Sequence, residues 1–195
     1  CVLTYNHEKY IGDCLDSILK QKTNFPYEII IGEDNSEDAT RQICIEYAER
    51  YPDKIRLFLR TPDQKFVYKN TRTFHFNFIA NLLVARGNFI ATCDGDDYWI
   101  DSQKLQYQVD FLRSNLAFSG ITHWHSKMKA IDKQDFDFIQ IYKNVYLGKS
   151  SSFMFKSFEL NDGDINLIKS CGSGDTPLLH MVANRGLIRL DCKEV

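Results

Sequence analysis

Asp94-Gly95-Asp96-Asp97-Tyr98-Trp99 sets three carboxylates and a glycine at the end of the apolar run Asn88-Phe89-Ile90-Ala91-Thr92-Cys93. Carboxylate oxygens are hard ligands that suit Mg²⁺ or Mn²⁺, cations usually held by few side chains and shared with substrate phosphates. Without a cation, acids this close repel one another. The plainer reading is an acidic surface turn, since turns are commonly rich in Asp and Gly. In open α/β sheets ligands lie beyond the carboxyl ends of the strands, so a strand over residues 88–93 would deliver these acids to such a rim. If the backbone stays extended for two more residues, Asp94 and Asp96 point one way and Asp97 the other. Gly95 would let a second backbone or a phosphate approach.

The elements that must position this rim follow from the apolar spacing. Residues 1–4 read as the tail of a strand, and Ile11, Leu15, Ile18 and Leu19 make the inner face of a helix. Residues 27–32 carry Ile29-Ile30-Ile31, apolar on both faces as a central parallel strand requires. Ser36 or Asp38 caps a helix with Ala39, Ile43, Tyr47 and Ala48 inside, and residues 55–59 form a third strand. A helix over about 73–85, with Phe74, Phe78, Ile79 and Leu82 on one side and Gly87 past its end, leads into the strand before Asp94. Asp101 or Ser102 caps the next helix, where Leu105, Val109 and Leu112 share a face. This alternation predicts right-handed β-α-β units and a Rossmann-like, mostly parallel sheet flanked by helices.

Beyond residue 115 the helical rhythm fails, and short strands at 118–124, 145–147 and 152–155 predict a smaller mixed layer. One late helix is well marked, with Thr176 as N-cap, Pro177 at its first position, Leu178, Leu179 and Val182 inward, and Gly186 at its end. Asp175 then lies just outside its amino end, after the loop Cys171-Gly172-Ser173-Gly174, whose glycines leave room for a substrate.

A chain of 195 residues, 44% hydrophobic, fits one domain better than two. Its formal charge of -2 supplies no basic field, so neither nucleic acid nor an anionic membrane is an implied partner. No apolar run reaches membrane-spanning length, and nothing at the start resembles a signal peptide. The chain opens on Cys1-Val2-Leu3 without a methionine, and it is expected to be truncated at both ends, beginning inside its first strand. The cysteines at 1, 14, 44, 93, 171 and 192 show no C-x-x-C pair and read as small buried hydrophobes in a reducing compartment.

Three stretches together resemble a known family. Val2-Leu3-Thr4-Tyr5-Asn6-His7-Glu8-Lys9-Tyr10-Ile11, followed by Tyr27 to Gly32 and Glu33-Asp34-Asn35-Ser36-Glu37-Asp38-Ala39-Thr40, resembles the amino-terminal half of the inverting nucleotide-sugar glycosyltransferases of family 2 type, which have the GT-A fold. Gly87 to Trp99 is similar to that family's D-x-D segment and its lead-in strand, and residues 104–112 continue in the manner of its bacterial members. The match thins after about residue 115 until Gly174-Asp175-Thr176-Pro177-Leu178-Leu179, which resembles the acceptor-side segment. The implied organisation is one GT-A domain over 1–195, with 1–115 as the nucleotide-sugar half and 116–195 as the acceptor-side half.

The resemblance implies a nucleotide-diphosphate sugar donor, with a UDP-sugar favoured. Thr4 and Tyr5 would border the nucleobase, and Asp34 would accept a hydrogen bond from a base ring N–H. Asp94 would lean toward the ribose, and Asp96 and Asp97 would hold Mn²⁺ or Mg²⁺, with the choice of main ligand open. Asp175 corresponds to the catalytic base, ionised at pH 7 like any ordinary aspartate. The family pattern has two acidic residues in a row where this chain has Gly174 before Asp175. The implied acceptor is a glycan or lipid-linked glycan of a bacterial surface polymer, made in the cytoplasm at the inner face of the membrane with peripheral association.

Rival readings are a catalytically silent sugar-nucleotide-binding module and a nucleotidyltransferase or phosphohydrolase using the same acids; the latter lacks a glycine-rich, lysine-bearing phosphate loop. His123-Trp124-His125 puts two imidazoles on one strand face without a third zinc ligand, so a partly buried strand is the simpler reading. Trp99 would stack on a sugar or, the simpler use for so large a ring, fill the core beneath the acid loop; the run Phe74, Phe76 and Phe78 reads as packing, and Lys69 and Arg72 as cations near the base or diphosphate or in a solvated loop.

Overall fold

The computed structural model describes residues 1–64, 66–68, 71–73, 75–123, 135–142, 150–170 and 175–191. In chain order the first elements are β1 (Val2–Thr4), α1 (Ile11–Leu19), β2 (Ile29–Glu33), α2 (Thr40–Arg50) and β3 (Ile55–Leu59). The hairpin β4 (Phe66–Tyr68) and β5 (Thr71–Thr73) precedes α3 (His75–Val84), β6 (Phe89–Ala91), β7 (Cys93–Asp94) and α4 (Lys104–Ser114). The remaining elements are β8 (Phe118–His123), β9 (Asp135–Phe136), α5 (Phe138–Tyr142), β10 (Met154–Lys156), α6 (Asp162–Ser170), α7 (Asp175–Ala183) and β11 (Leu187–Asp191).

Two sheets organise the chain. The first has order β3-β2-β1-β7 and is parallel throughout, with Val2 opposite both Ile31 and Cys93. The second has order β6-β10-β8-β11-β9 and mixes directions, β10 running antiparallel to β6 and β8 while β11 runs parallel to β8. The α/β class, the parallel sheet and the mixed second layer are therefore as expected. Ile29, Ile30 and Ile31 are all buried, as strands covered on both faces must be, and α1 sets Ile11, Leu15 and Ile18 into the same core. A second core gathers Phe78, Ile79 and Leu82 of α3 with Ile90, Phe153, Phe155, Leu178 and Val182. Among the described residues no helix is long and apolar enough to cross a membrane.

Several local expectations are corrected. The run 88–93 is not one strand: Phe89–Ala91 pairs with β10 in the second sheet, and Cys93–Asp94 pairs with β1 in the first. Thr92 is the switch, its N–H donating to Phe153 O at 3.1 Å and its hydroxyl to Ser150 O at 2.6 Å. Residue 152 ends a 3₁₀ turn, Ser150–Ser152, ahead of β10. Helix α2 has Ala39 at its N-cap, although Asp38 accepts from Thr40 N at 2.9 Å. Helix α4 follows Gln103, and Gln21 from α1's far end accepts from Leu105 N at 3.1 Å, a cap that only packing supplies. Helix α7 begins at Asp175, which puts that residue inside the first turn. The strand expected at 145–147, Phe74, Cys171 and Cys192 lie outside the described residues. Cys14, Cys44 and Cys93 are buried free thiols, as their scatter implied.

Two features of the core were not anticipated. Asn77 and Asn81, one turn apart on the inner face of α3, donate to Gly32 O at 2.7 Å and Val2 O at 3.2 Å. A Cβ on Gly32 would lie 1.9 Å from Asn77 Oδ1. Lys104 is fully buried, with Nζ donating to Gln108 Oε1 at 2.8 Å and lying 4.1 Å from the Trp99 ring centroid. Burial pushes its pKa down to about 7, the Cys93 thiol opposing that slightly.

Gly32→Ala is expected to destabilise the fold by about 3 kcal/mol, read as a lower midpoint in urea, because neither the sheet backbone nor the bonded Asn77 can move aside. Lys104 gives a pH signature whose sign follows from its lowered pKa. The folded chain releases this proton near pH 7, whereas an unfolded lysine keeps it to about pH 10. The unfolded state thus binds more protons across that window, and stability rises with pH at up to about 1 kcal/mol per unit. Urea unfolding at a series of pH values from about 6.5 to 8.5 should show a steeper rise of stability with pH in the native chain than in Lys104→Met, which keeps only the same-sign slope of the buried Cys1 amine, whose pKa is lowered to about 6.

Candidate functional site

The carboxyl ends of β2, β1 and β7 meet at one rim. Asp34 N donates to Thr4 O at 2.9 Å, and Gly95 N to Leu3 O at 2.8 Å. These bonds carry the pairing just past the strands and set Thr4, Asp34 and Asp94 side by side, as the carboxyl-edge rule anticipates. Thr4 and Asp34 are buried, at 2% and 4% exposure, while Tyr5 is 44% exposed. The loops after β1 and β2 turn through Asn6 (φ 54°) and Asn35 (φ 64°), a left-handed conformation that asparagine tolerates better than most residues. Reciprocal bonds lace them together: Asn6 N to Ser36 Oγ, Glu37 N to Asn6 Oδ1, Glu8 N to Asp38 Oδ2, and Ala39 N to Glu8 Oε2. The acidic turn after β2 is thus a structural partner of the first loop as well as part of the rim.

The acids at this rim are each met by a different device. Glu33, fully buried, accepts from the Arg41 guanidinium at 2.5 Å and from Ser36 N at 2.6 Å. Asp34 is opposed by Arg60, whose pKa is lowered by burial and supported by the Asp34 charge. Arg60 donates to Asn77 Oδ1 at 3.1 Å and Asn81 Oδ1 at 2.8 Å, and lies over the Phe58 and Phe76 rings. Sequence reasoning missed this group, and its one trace was a pair of asparagines four residues apart on an otherwise apolar helix face.

The acid loop departs from the expected extended geometry. Asp97 N donates to Asp94 O at 3.0 Å, closing a turn. Asp94 and Asp97 therefore come down on the same neighbour, with Ser150 Oγ donating to Asp94 Oδ2 and Ser151 Oγ to Asp97 Oδ2, each at 2.6 Å. Asp96 remains exposed and makes no hydrogen bond among the described residues. The space at Gly95 is taken by side chains: a Cβ there would lie 2.5 Å from Thr4 Oγ1 and 2.8 Å from His7 Nδ1. Trp99 is buried, its indole N–H donating to Ser151 O at 2.7 Å, which agrees with a core role.

Among the described residues no three His, Cys, Asp or Glu side chains converge as a complete cation cage. The donor set at the loop is nonetheless all hard oxygen with an exposed carboxylate, which fits a Mg²⁺ or Mn²⁺ that takes its remaining ligands from a phosphate group and water. Asp175 opens α7, and its side chain and residues 171–174 lie outside the described residues. The same holds for Lys69, Trp124, His125 and the side chain of Arg72, whereas His123 is buried on β8. A cavity of about 540 Å³ lies at the opposite, amino ends of the strands, lined by Val2, Phe25, Ile29 and Phe89, and shares none of the rim acids.

An uncharacterized protein of Mycobacterium tuberculosis is 44% identical over 110 residues, which are 56% of this chain and 30% of that protein. The crystal structure of Staphylococcus aureus TarS 1-349 in complex with UDP superposes with a TM-score of 0.64 at 22% identity, covering 97% of this chain and 56% of that one. The mannosyltransferase PcManGT from Pyrobaculum calidifontis in complex with GDP-Man and Mn²⁺ superposes with a TM-score of 0.65 at 18% identity, covering 99% of this chain and 53% of that one. The two structures establish a shared fold, and this chain spans less than a third of the mycobacterial relative's length. The profile described as Glycosyl transferase family 2 matches residues 1–160, most of the chain, including both rim loops, the acid loop and the serine turn beneath it, and the chain belongs to that family.

Proposed function

We propose that this chain is the catalytic domain of an inverting glycosyltransferase. It moves a sugar from a nucleotide-diphosphate sugar, most favourably a UDP-sugar, to a hydroxyl of a glycan or lipid-linked glycan acceptor in surface polysaccharide synthesis at the cytoplasmic side. Residues 1–115 take the donor and 116–195 the acceptor. The observation that carries the reading is the rim itself: Thr4, Asp34 and Asp94 converge beyond a parallel sheet, with the exposed Asp96 carboxylate beside them, in a chain of family 2. The UDP held by TarS and the GDP-Man and Mn²⁺ held by PcManGT support a nucleotide-sugar donor and a divalent cation.

In this reading Thr4 and Tyr5 border the base, and the Asp34 carboxylate accepts a hydrogen bond from a base ring N–H. Arg60, fixed by Asn77 and Asn81, holds Asp34 in place. Asp94 would bind the ribose, and Asp96, with Asp97, would hold Mn²⁺ or Mg²⁺. The cation, when bound, offsets the negative charge of the departing nucleoside diphosphate. Asp175, at the amino end of α7, takes the proton from the acceptor hydroxyl oxygen as that oxygen bonds to the anomeric carbon. Inversion requires the hydroxyl to line up opposite the leaving group.

Incubation with UDP-sugars and Mn²⁺ is expected to release free UDP, and chelation of the metal to stop it. Asp175→Asn should lower kcat by about 100-fold or more while UDP affinity, from calorimetry, stays as in the native chain. Asp96→Asn should instead raise the Mn²⁺ concentration needed for half-maximal rate. Metal-dependent UDP binding with no turnover of any donor would mark the chain as a sugar-nucleotide-binding module.

A further inference from the structure

Ser150, Ser151 and Ser152 form one 3₁₀ turn that carries no motif in the sequence. Its first two hydroxyls are nevertheless committed to the acid loop. Ser150 donates to Asp94 Oδ2 and Ser151 to Asp97 Oδ2, each at 2.6 Å. Ser151 Oγ also accepts from Asp94 N at 3.1 Å, so one hydroxyl ties together both ends of the Asp94–Asp97 turn. Short O–H···O⁻ bonds of this kind are charge-assisted and stronger than neutral ones.

The serine turn is itself anchored from below. Thr92 Oγ1 donates to Ser150 O at 2.6 Å, the Trp99 indole to Ser151 O at 2.7 Å, and Gln108 Nε2 to Ser152 O at 2.8 Å. Ser152's own hydroxyl turns away, to Thr122 Oγ1 at 2.7 Å. With three carbonyls bonded and Ser151 and Ser152 buried, the turn cannot follow the acids if they move.

We infer that Ser150 and Ser151 are positioning residues for the cation and diphosphate: they pin the Asp94 and Asp97 carboxylates to the second sheet and leave Asp96 as the carboxylate turned out to meet the metal. The inference rests on the donor reading above. Its chemical reason is the choice of donor. Acids this crowded need partners, and a lysine or arginine would supply positive charge that competes with the cation. A neutral hydroxyl bonds one oxygen of each carboxylate and fixes its direction without adding positive charge of its own.

The test compares Ser150→Ala, Ser151→Ala and Ser152→Ala for Mn²⁺ affinity in saturating UDP, followed by electron paramagnetic resonance of free Mn²⁺, beside their melting temperatures. Ser150→Ala and Ser151→Ala should each weaken Mn²⁺ binding about 10-fold, and Ser150→Thr, which keeps the hydroxyl, should restore it. Ser152→Ala loosens the same turn through the hydroxyl bonded to Thr122, so it should melt lower with Mn²⁺ affinity unchanged. Native affinity in Ser150→Ala and Ser151→Ala, or an equal loss in Ser152→Ala, overturns the inference; if Ser151→Ala does not fold, the half-buried Ser150 decides. A native chain that binds no Mn²⁺ with UDP overturns the donor reading and this inference with it, an outcome seen before any variant is made.

Discussion

Negative charge gathered at the carboxyl rim of β2, β1 and β7 is what the surrounding structure has to hold. Buried carboxylates are costly unless bonded, and crowded ones repel each other. The partners that meet them include a guanidinium in contact with the buried Glu33, a guanidinium facing Asp34 from β3's end, and serine hydroxyls at Asp94 and Asp97. Among the described residues the guanidiniums stand at the β2–β3 side of the rim, and the exposed Asp96 stands at the β7 side.

The second requirement is mechanical. Thr92 takes the chain from one sheet to the other in a single residue, leaving the antiparallel pairing with β10 and entering the parallel pairing with β1. The acid loop consequently forms at the seam between the sheets, where a turn from the second can brace an edge of the first. Core packing likewise runs across residue 115. Helix α3 and β6, early in the chain, share a core with β10 and α7, whereas Phe118, Ile121 and Met154 pack with the first sheet.

Beneath the seam the packing is polar. Lys104, Gln108, Ser152 and Thr122 form a chain of buried hydrogen bonds where an apolar core would be more stable. This buried lysine is paired with an amide and an aromatic face and with no acid among the described residues, and its depressed pKa is the cost of that placement. What the network supplies is direction: Lys104 holds the Gln108 amide, and that amide fixes the last carbonyl of the serine turn below the acids.

The sequence by itself determined whatever depends on local periodicity and on residue type. Ile29-Ile30-Ile31 could only be a covered strand, the spacing of Ile11, Leu15 and Ile18 could only be one helix face, and the acids after Cys93 declared a hard-oxygen site at a strand end. The family, too, was legible in the stretches from Val2 to Trp99. Tertiary structure decided the rest, because the deciding partners lie far along the chain. Arg60 meets Asn77 and Asn81, Leu105 is capped by Gln21, and Asp94 and Asp97 are held by serines more than fifty residues away. A turn closed by Asp97 N could not be told from an extended strand by spacing alone, and that one hydrogen bond reversed which carboxylates face inward and left Asp96 exposed.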